Sequence, residues 1–439
     1  MAAQGLPTAA APVKLRPFSR SNSSSSARGG GALYYRLLSP AHPSMRALRS
    51  ARPPGCSRGM AAGRLTAAAA GTATAAAPPP AGEKEMDGWP AVPREQVETV
   101  RSLNGWVAEN MLPLLTPVES AWQPHDYLPR SAGGGSEAEA FESFTAGLAE
   151  LRGGAACLPD DVLVCLVGNM ITEEALPTYQ SMGNRTEGVA DATGSSELPW
   201  ARWIRGWTAE ENRHGDLLNR YLYLTGRVDM RQVEVTTHHL LRNGMEMLVP
   251  KSPYHSLIYG AFQERATFIS HGHTARLAAR HGDRALATIC GVIAADERRH
   301  EAGYTMASAR LFEADPDGMV RALAHVMRAK VTMPGLLMSD GRGDNGGGTL
   351  FERFSAVAQR AGVYTASDYG DLVEHFVRRW RVADLAVGLS GEGRRAQEYV
   401  CGLGPKIRRM EELAQRRVAR GEPGLARFSW IFDRSVVVG

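Results

Sequence analysis

Four stretches of this chain repeat apolar residues at helical spacing, and each sets a carboxylate inside its own apolar stripe. In "DVLVCLVGNMITEEALPTY" Val162, Leu166, Met170, Glu173 and Leu176 fall in line. In "TAEENRHGDLLNRYLYL" the stripe is Glu211, His214, Leu218, Tyr221 and Leu222. "SLIYGAFQERATFISHGHTARLA" aligns Leu257, Ala261, Glu264, Phe268 and Ala275, and "TICGVIAADERRHEAGYTMASARLF" aligns Ile289, Ile293, Glu297, His300, Tyr304, Ala307 and Leu311. Residues three and four apart share one face of a helix, so these carboxylates are expected to point into a core. An unpaired buried ion costs several kcal/mol, and four of them would threaten a net stability of about 5–15 kcal/mol. Buried Arg or Lys partners, or metal ions, must neutralise them.

Metal answers the spacing better. Glu211 with His214, and Glu297 with His300, are the chain's two Glu-x-x-His pairs, and side chains at i and i+3 can reach the same ion. Glu173 and Glu264 add one carboxylate each from two further helices. This is the known ligand set of ferritin-like dinuclear bundles, and four carboxylates balance two divalent ions. The alternative is an ion-paired bundle with satisfied core histidines. Ligand type alone does not separate Fe from Mn. Thr267, three residues after Glu264, is either a hydroxyl beside the metals or a helical Thr bonded to its own backbone. Asp296 is a candidate to hold a ligand imidazole through its second nitrogen. His238, His239, His271 and His273 fit no metal spacing and are expected to be surface or core histidines.

The expected fold is all-α. The site helices run from Asp160 to Leu176, Trp200 to Leu224, Tyr254 to His281 and Arg284 to Glu313, with additional helices between Val97 and Arg420. Only the tail, "RFSWIFDRSVVVG", reads as strand, a short C-terminal β-hairpin. Nothing divides residues 83–439 into separate cores, so one large helical domain is expected.

Residues 1–82 differ from the rest. They contain no Asp or Glu but ten Lys or Arg, with runs such as "NSSSSARGGG". This composition is that of a disordered organelle transit peptide, with an uncleaved basic tail as the alternative. Setting that stretch aside leaves 40 basic against 46 acidic residues, a formal charge of −6 in place of +4, which gives no support to a nucleic-acid partner. The five cysteines are scattered without a C-x-x-C pair, so neither a disulfide scaffold nor a zinc site is indicated. The longest apolar run, "DVLVCLVGNMI", falls well short of the roughly 20 residues of a membrane span, and a soluble protein is expected.

Beyond the four ligand helices, the segments "WQPHDYLP", "DMRQVE", "SAVAQRAGVYTASDY" and "FSWIFDR" resemble the soluble plastid acyl-[acyl-carrier-protein] desaturases, of which stearoyl-carrier-protein 9-desaturases are an example. The likeness runs from about Val97 to the C-terminus. It implies a homodimer in the plastid stroma, each subunit holding two Fe ions through Glu173, Glu211, His214, Glu264, Glu297 and His300. It further implies an enzyme that uses O2 and electrons from ferredoxin to insert a cis double bond, Δ9 in the type example, into a saturated acyl chain on acyl carrier protein. By the same likeness Thr267 assists oxygen activation, and Asp296 and Trp122 support the metal ligands or carry electrons. Docking of the acidic carrier protein calls for basic residues, for which Lys251, Arg242, Arg265, Arg276, Arg280 and Arg284 are candidates.

The chain departs from the family where Thr116 and Ser120 stand in place of frequent lysines, where Arg185 and Thr186 stand at a commonly apolar tunnel end, and where Ser256 and Leu257 replace the usual Gly and Phe. The competing reading is another ferritin-like di-metal protein. One form is a ribonucleotide reductase small-subunit-like oxidase, with Tyr304 as the nearby tyrosine; the other is a non-enzymatic iron-binding protein.

Overall fold

The computed structural model describes residues 91–130, 135–245, 251–329, 331, 333–343, 348–418 and 424–438. The stretch read as a transit peptide lies outside the described residues.

Four helices form the centre: α1 (Asp160–Glu173), α2 (Pro199–Thr225), α3 (Pro253–His281) and α4 (Arg284–Ala314). Each packs against two of the others, α1 on α2 and α3, and α4 on α2 and α3. Sequence punctuation sets their ends. Pro199 and Pro253 open α2 and α3 at a position that needs no N–H donor. Gly226 and Gly282 close them in the left-handed region, at φ 66° and 88°. Asp283 then accepts the Leu286 N–H at 2.8 Å and so starts α4, while the buried Tyr221 hydroxyl donates to the other oxygen of Asp283.

Two apolar cores lie along this bundle. One gathers Leu163, Leu166, Met170, Leu218, Ile289, Ile293 and Phe351 with Phe428 and Trp430 of the tail. The other gathers Trp200, Trp203, Ile258, Phe262, Leu311, Phe376 and Trp380. Between them, at the level of residues 211–214, 264 and 297–300, the facing positions are Glu and His: the cores leave a polar waist.

The tail is a hairpin, Gly424–Arg427 pairing antiparallel with Ser435–Val438. Its connection buries Trp430, whose Nε1–H donates to Thr236 Oγ1 at 2.8 Å. Among the additional helices, Arg94–Ser102 and Asn104–Asn110 divide at Leu103, and Gly391–Cys401 and Leu403–Val418 divide at Gly402. The helix from Asp160 stops at Glu173 because the ring of Pro177 would meet the Glu173 carbonyl one turn back; a separate helix, Leu176–Gly183, follows. Among the described residues no single helix is long and apolar enough to cross a membrane, and the cysteines are free thiols.

Candidate metal centre

The six side chains singled out by their stripes meet at the waist. Glu173, Glu211, His214 and Glu297 offer ligand atoms within 4.8 Å of one another, and so do Glu211, Glu264, Glu297 and His300. The two sets share Glu211 and Glu297. One carboxylate has two oxygens, so these two residues can belong to both sets, with Glu173 and His214 completing one and Glu264 and His300 the other. All six are at least 95% buried. His300 Nδ1 stands 2.7 Å from Glu211 Oε1, and His214 Nδ1 stands 3.4 Å from both Glu211 Oε2 and Glu297 Oε1.

These atoms fit a metal. Glu211 Oε1, Glu297 Oε1, His214 Nδ1 and His300 Nδ1 are buried and make no aligned hydrogen bond, even though Glu211 Oε1 and His300 Nδ1 stand only 2.7 Å apart, whereas native interiors pair nearly all such groups. The far side of each ring is held. His214 Nε2 lies 3.2 Å from Asp296 Oδ2, and His300 Nε2 lies 2.9 Å from Glu210 Oε2. A carboxylate can only accept, so Nε2 carries the hydrogen and Nδ1 is left to bind a cation, as metal-ligating histidines require. Arg299 ties the two supports together, donating to Glu210 at 2.9 Å and Asp296 at 2.6 Å. The same guanidinium donates to Leu114 O, and the Thr116 N–H donates to Glu210 at 2.6 Å, so the segment before Trp122 is clamped to the histidine supports. Trp122 Nε1–H completes that side by donating to Asp296 Oδ2 at 2.9 Å.

The charges respond strongly. Burial pushes the Glu173 carboxyl up to about 7, against the bond from His271. Burial, then the neighbouring Glu211 charge, raises Glu264 well above the carboxylate range. Burial acts upward on Glu211 too, but the two imidazoles outweigh it and hold Glu211 low. Burial disfavours the cationic forms of His214 and His300, yet the surrounding carboxylates raise both well above the usual imidazole value. Without metal, protonated histidines therefore supply the positive charge that the carboxylates demand, and a metal ion would displace those protons.

A cavity of about 580 Å³ adjoins the cluster. Glu173, Glu211, Glu264 and Glu297 line it together with Trp203, Ile204, Trp207, Leu257 and Tyr304, while neither His214 nor His300 does. The site is thus two-sided: carboxylates face the cavity, and imidazoles face Asp296, Glu210 and Trp122. Thr267 lies in the cavity wall, and its hydroxyl donates to the Glu264 and Gln263 carbonyls, the backbone-bonded arrangement that was one of its two alternatives.

Glu210, Arg299 and His271 were missed by the sequence reading. His271 is a core histidine, as expected, but its Nε2 lies 3.0 Å from Glu173 Oε1. It stands seven residues after Glu264 on the same stripe, the signal that would have found it. The basic residues proposed for docking do not form one patch. Arg265 pairs with Glu301 at 3.2 Å, and Arg276, Arg280 and Arg284 lie at the opposite end of α3 from Lys251.

Comparison with known proteins follows the same line. A model of the fatty acid desaturase family matches residues 95–432. The chain is 82% identical over 346 residues to acyl-[acyl-carrier-protein] desaturase 4, chloroplastic, of Oryza sativa subsp. japonica, covering 79% of this chain and 82% of that one. It is 60% identical over 343 residues to acyl-[acyl-carrier-protein] desaturase 7, chloroplastic, of Oryza sativa subsp. indica, covering 78% and 83%. It is 57% identical over 346 residues to stearoyl-[acyl-carrier-protein] 9-desaturase, chloroplastic, of Carthamus tinctorius, covering 79% and 84%.

Proposed function

This chain belongs to the fatty acid desaturase family, and from that membership we propose that it is an acyl-[acyl-carrier-protein] desaturase of the chloroplast, forming a cis double bond at Δ9 of a saturated chain such as stearoyl. One observation carries the reading: a buried nest of four Glu and two His opens its carboxylate side onto a largely apolar cavity. A storage site needs no such cavity.

In this reading Glu173, Glu211, His214, Glu264, Glu297 and His300 would hold two Fe ions, Glu211 and Glu297 being common to both groups of ligand atoms. Methylene C–H bonds resist acid, base and nucleophile, and the iron pair supplies the O2 chemistry that they require. The balance is one O2, two electrons from ferredoxin and two protons, with two hydrogens leaving adjacent methylenes and two waters formed. The protein's part is placement and dryness. Trp203, Trp207, Ile204 and Leu257 hold the chain against the carboxylates and keep water away. The Thr267 hydroxyl, turned from its backbone acceptors, handles a proton at the cavity wall. On the opposite side Asp296 and Trp122 connect His214 to the surface and give ferredoxin its route inward. Carrier protein presents the thioester end from outside, the enzyme works as a homodimer, and residues 1–82 are the plastid address ahead of a single domain, 83–439.

The test is turnover. The iron-loaded protein receives reduced ferredoxin, O2 and stearoyl- or palmitoyl-carrier protein, and the acyl products are analysed. A new double bond supports the reading; iron uptake with every acyl chain unchanged overturns it.

A further inference from the structure

Trp122 is held by more than its hydrogen bond to Asp296. Its ring lies nearly parallel to that of His214, with centroids 6.1 Å apart and 10° between planes. The guanidinium carbon of Arg213 lies 5.1 Å from the indole centroid. The Arg213 side chain is only 12% exposed, and its Nη2 comes no nearer than 4.0 Å to Asp296 Oδ2. Its Nε and Nη2 have no hydrogen-bond partner, and Nη1 reaches only the Ala209 carbonyl, at 3.4 Å. Leaving buried donors unpaired is costly, and what this cation has in exchange is the π face of one indole.

The contrast within the site is informative. Tyr179, Trp207, Tyr304 and Trp203 form a chain of ring contacts at 5.7, 6.0 and 5.8 Å along the cavity side. Among the described residues no cation stands over any of these four. Among the described residues, the one indole bonded to a support of a candidate metal ligand is also the one with a nearly buried guanidinium against it. A permanent positive charge there lowers the energy of an electron passing through the indole and raises the cost of removing one from it.

We propose that Arg213 is a positioning residue that protects Trp122: electrons pass inward along Trp122, Asp296 and His214, and the nearly buried cation holds the indole against oxidation by the centre it serves. The proposal rests on the reading of Trp122 as the inward route, while its test does not depend on turnover.

The full chain is used as purified, with no electron donor present, so the centre stays idle. Azidyl radicals made by radiolysis each take one electron from an indole and leave as azide; at Trp122 the Nε1 proton passes to Asp296 along the existing hydrogen bond. The solution is air-saturated, so the indolyl radicals go on to oxygenated products with dissolved O2 and the superoxide that radiolysis makes from it, and these are quantified peptide by peptide, with the half-buried Trp106 as internal reference. The neutral variants R213Q and R213M should raise the ratio of Trp122 to Trp106 oxidation about tenfold, between the few-fold of an exposed cation–π contact and the roughly thirtyfold of a desolvated one. R213K, which keeps the charge, should stay close to the unmodified protein. An unchanged ratio in whichever neutral variant retains the native circular dichroism overturns the proposal. A rise in R213K equal to that in the neutral variants also overturns it, because shape rather than charge would then be protecting the ring.

Discussion

At Glu210 three donors meet one carboxylate: the His300 ring, the Arg299 guanidinium and the Thr116 N–H. Burial acts upward on this carboxyl, but those donors hold it down at about 2. Glu210 therefore stays an anion that fixes the His300 ring and its tautomer. Glu210→Gln removes that charge and offers an amide N–H₂ where donors already crowd. The ion held by Glu264 and His300 should bind roughly 10- to 100-fold more weakly, while the ion beside His214, supported by Asp296, is affected less. Stepwise iron titration would show one tight and one weakened site, and equal weakening of both would contradict the assignment of supports. The sequence hid Glu210 beside Glu211, because a helix enclosed on several sides buries neighbouring positions and the stripe rule credits only one of them. A second residue sets a pH limit. Burial, and then the His325 ring edge-on at 4.9 Å, lowers the His255 imidazole to about 4. Below the ordinary value of about 6.5 the unfolded chain takes up a proton that the folded chain refuses. Stability should therefore be unaffected by this group above pH 6.5 and fall as pH drops from there towards 4. At ~1.4 kcal/mol per pH unit the loss is at most about 3 kcal/mol, less for a group that is partly exposed. Denaturant melts of His255→Gln across that window should flatten the decline; an unaltered slope would exclude His255 as its source.

Between elements, close approach decides the geometry. Gly168 lies where α1 meets the helix Leu350–Ala361, and a Cβ there would come within 2.1 Å of the Phe354 ring. Gly168→Ala should destabilise by about 1–3 kcal/mol through overpacking. Phe354→Leu in the same chain should recover part of that loss, a coupling that thermal melts of the single and double variants would measure; strict additivity would mean that the two do not meet. The four site helices were legible because apolar stripes, proline openings and glycine closures agreed about them. The end of α1 was legible in principle too, since Pro177 was in view. Its consequence was not: the carbonyl of Glu173, freed where the helix stops, accepts the Tyr179 hydroxyl at 3.1 Å. A ligand is thus fixed through its own backbone by a residue of the next helix, and no periodicity encodes such a contact.

The whole molecule joins two features at one waist, a cavity on the carboxylate side and the hydrogen-bonded Trp122–Asp296 pair on the imidazole side. The six candidate ligands could be read from the sequence because each broke an apolar pattern at a cost that a cation would relieve. The extent of the cavity could not, since beyond the four carboxylates it is bounded by residues from many elements, most of them ordinary core or turn residues in their own segments. Its polar spots are where substrate choice should be decided. Thr186 Oγ1 and Ser256 Oγ lie 3.1 Å apart, bonded to each other across the cavity wall. Ser256→Leu breaks that bond and puts a branched side chain into space otherwise open to the acyl chain. Each methylene kept in an apolar site contributes about 0.8 kcal/mol, so excluding two would remove about 1.6 kcal/mol, or roughly fifteenfold, from the preference for an 18- over a 16-carbon chain. Competition between stearoyl- and palmitoyl-carrier protein in one reaction reads that ratio directly. It should move towards palmitoyl in Ser256→Leu and stay near its starting value in Ser256→Ala, which removes the hydroxyl without adding bulk. If both variants keep the original ratio, the end of the chain does not reach this wall, and the selective contact lies elsewhere along the cavity.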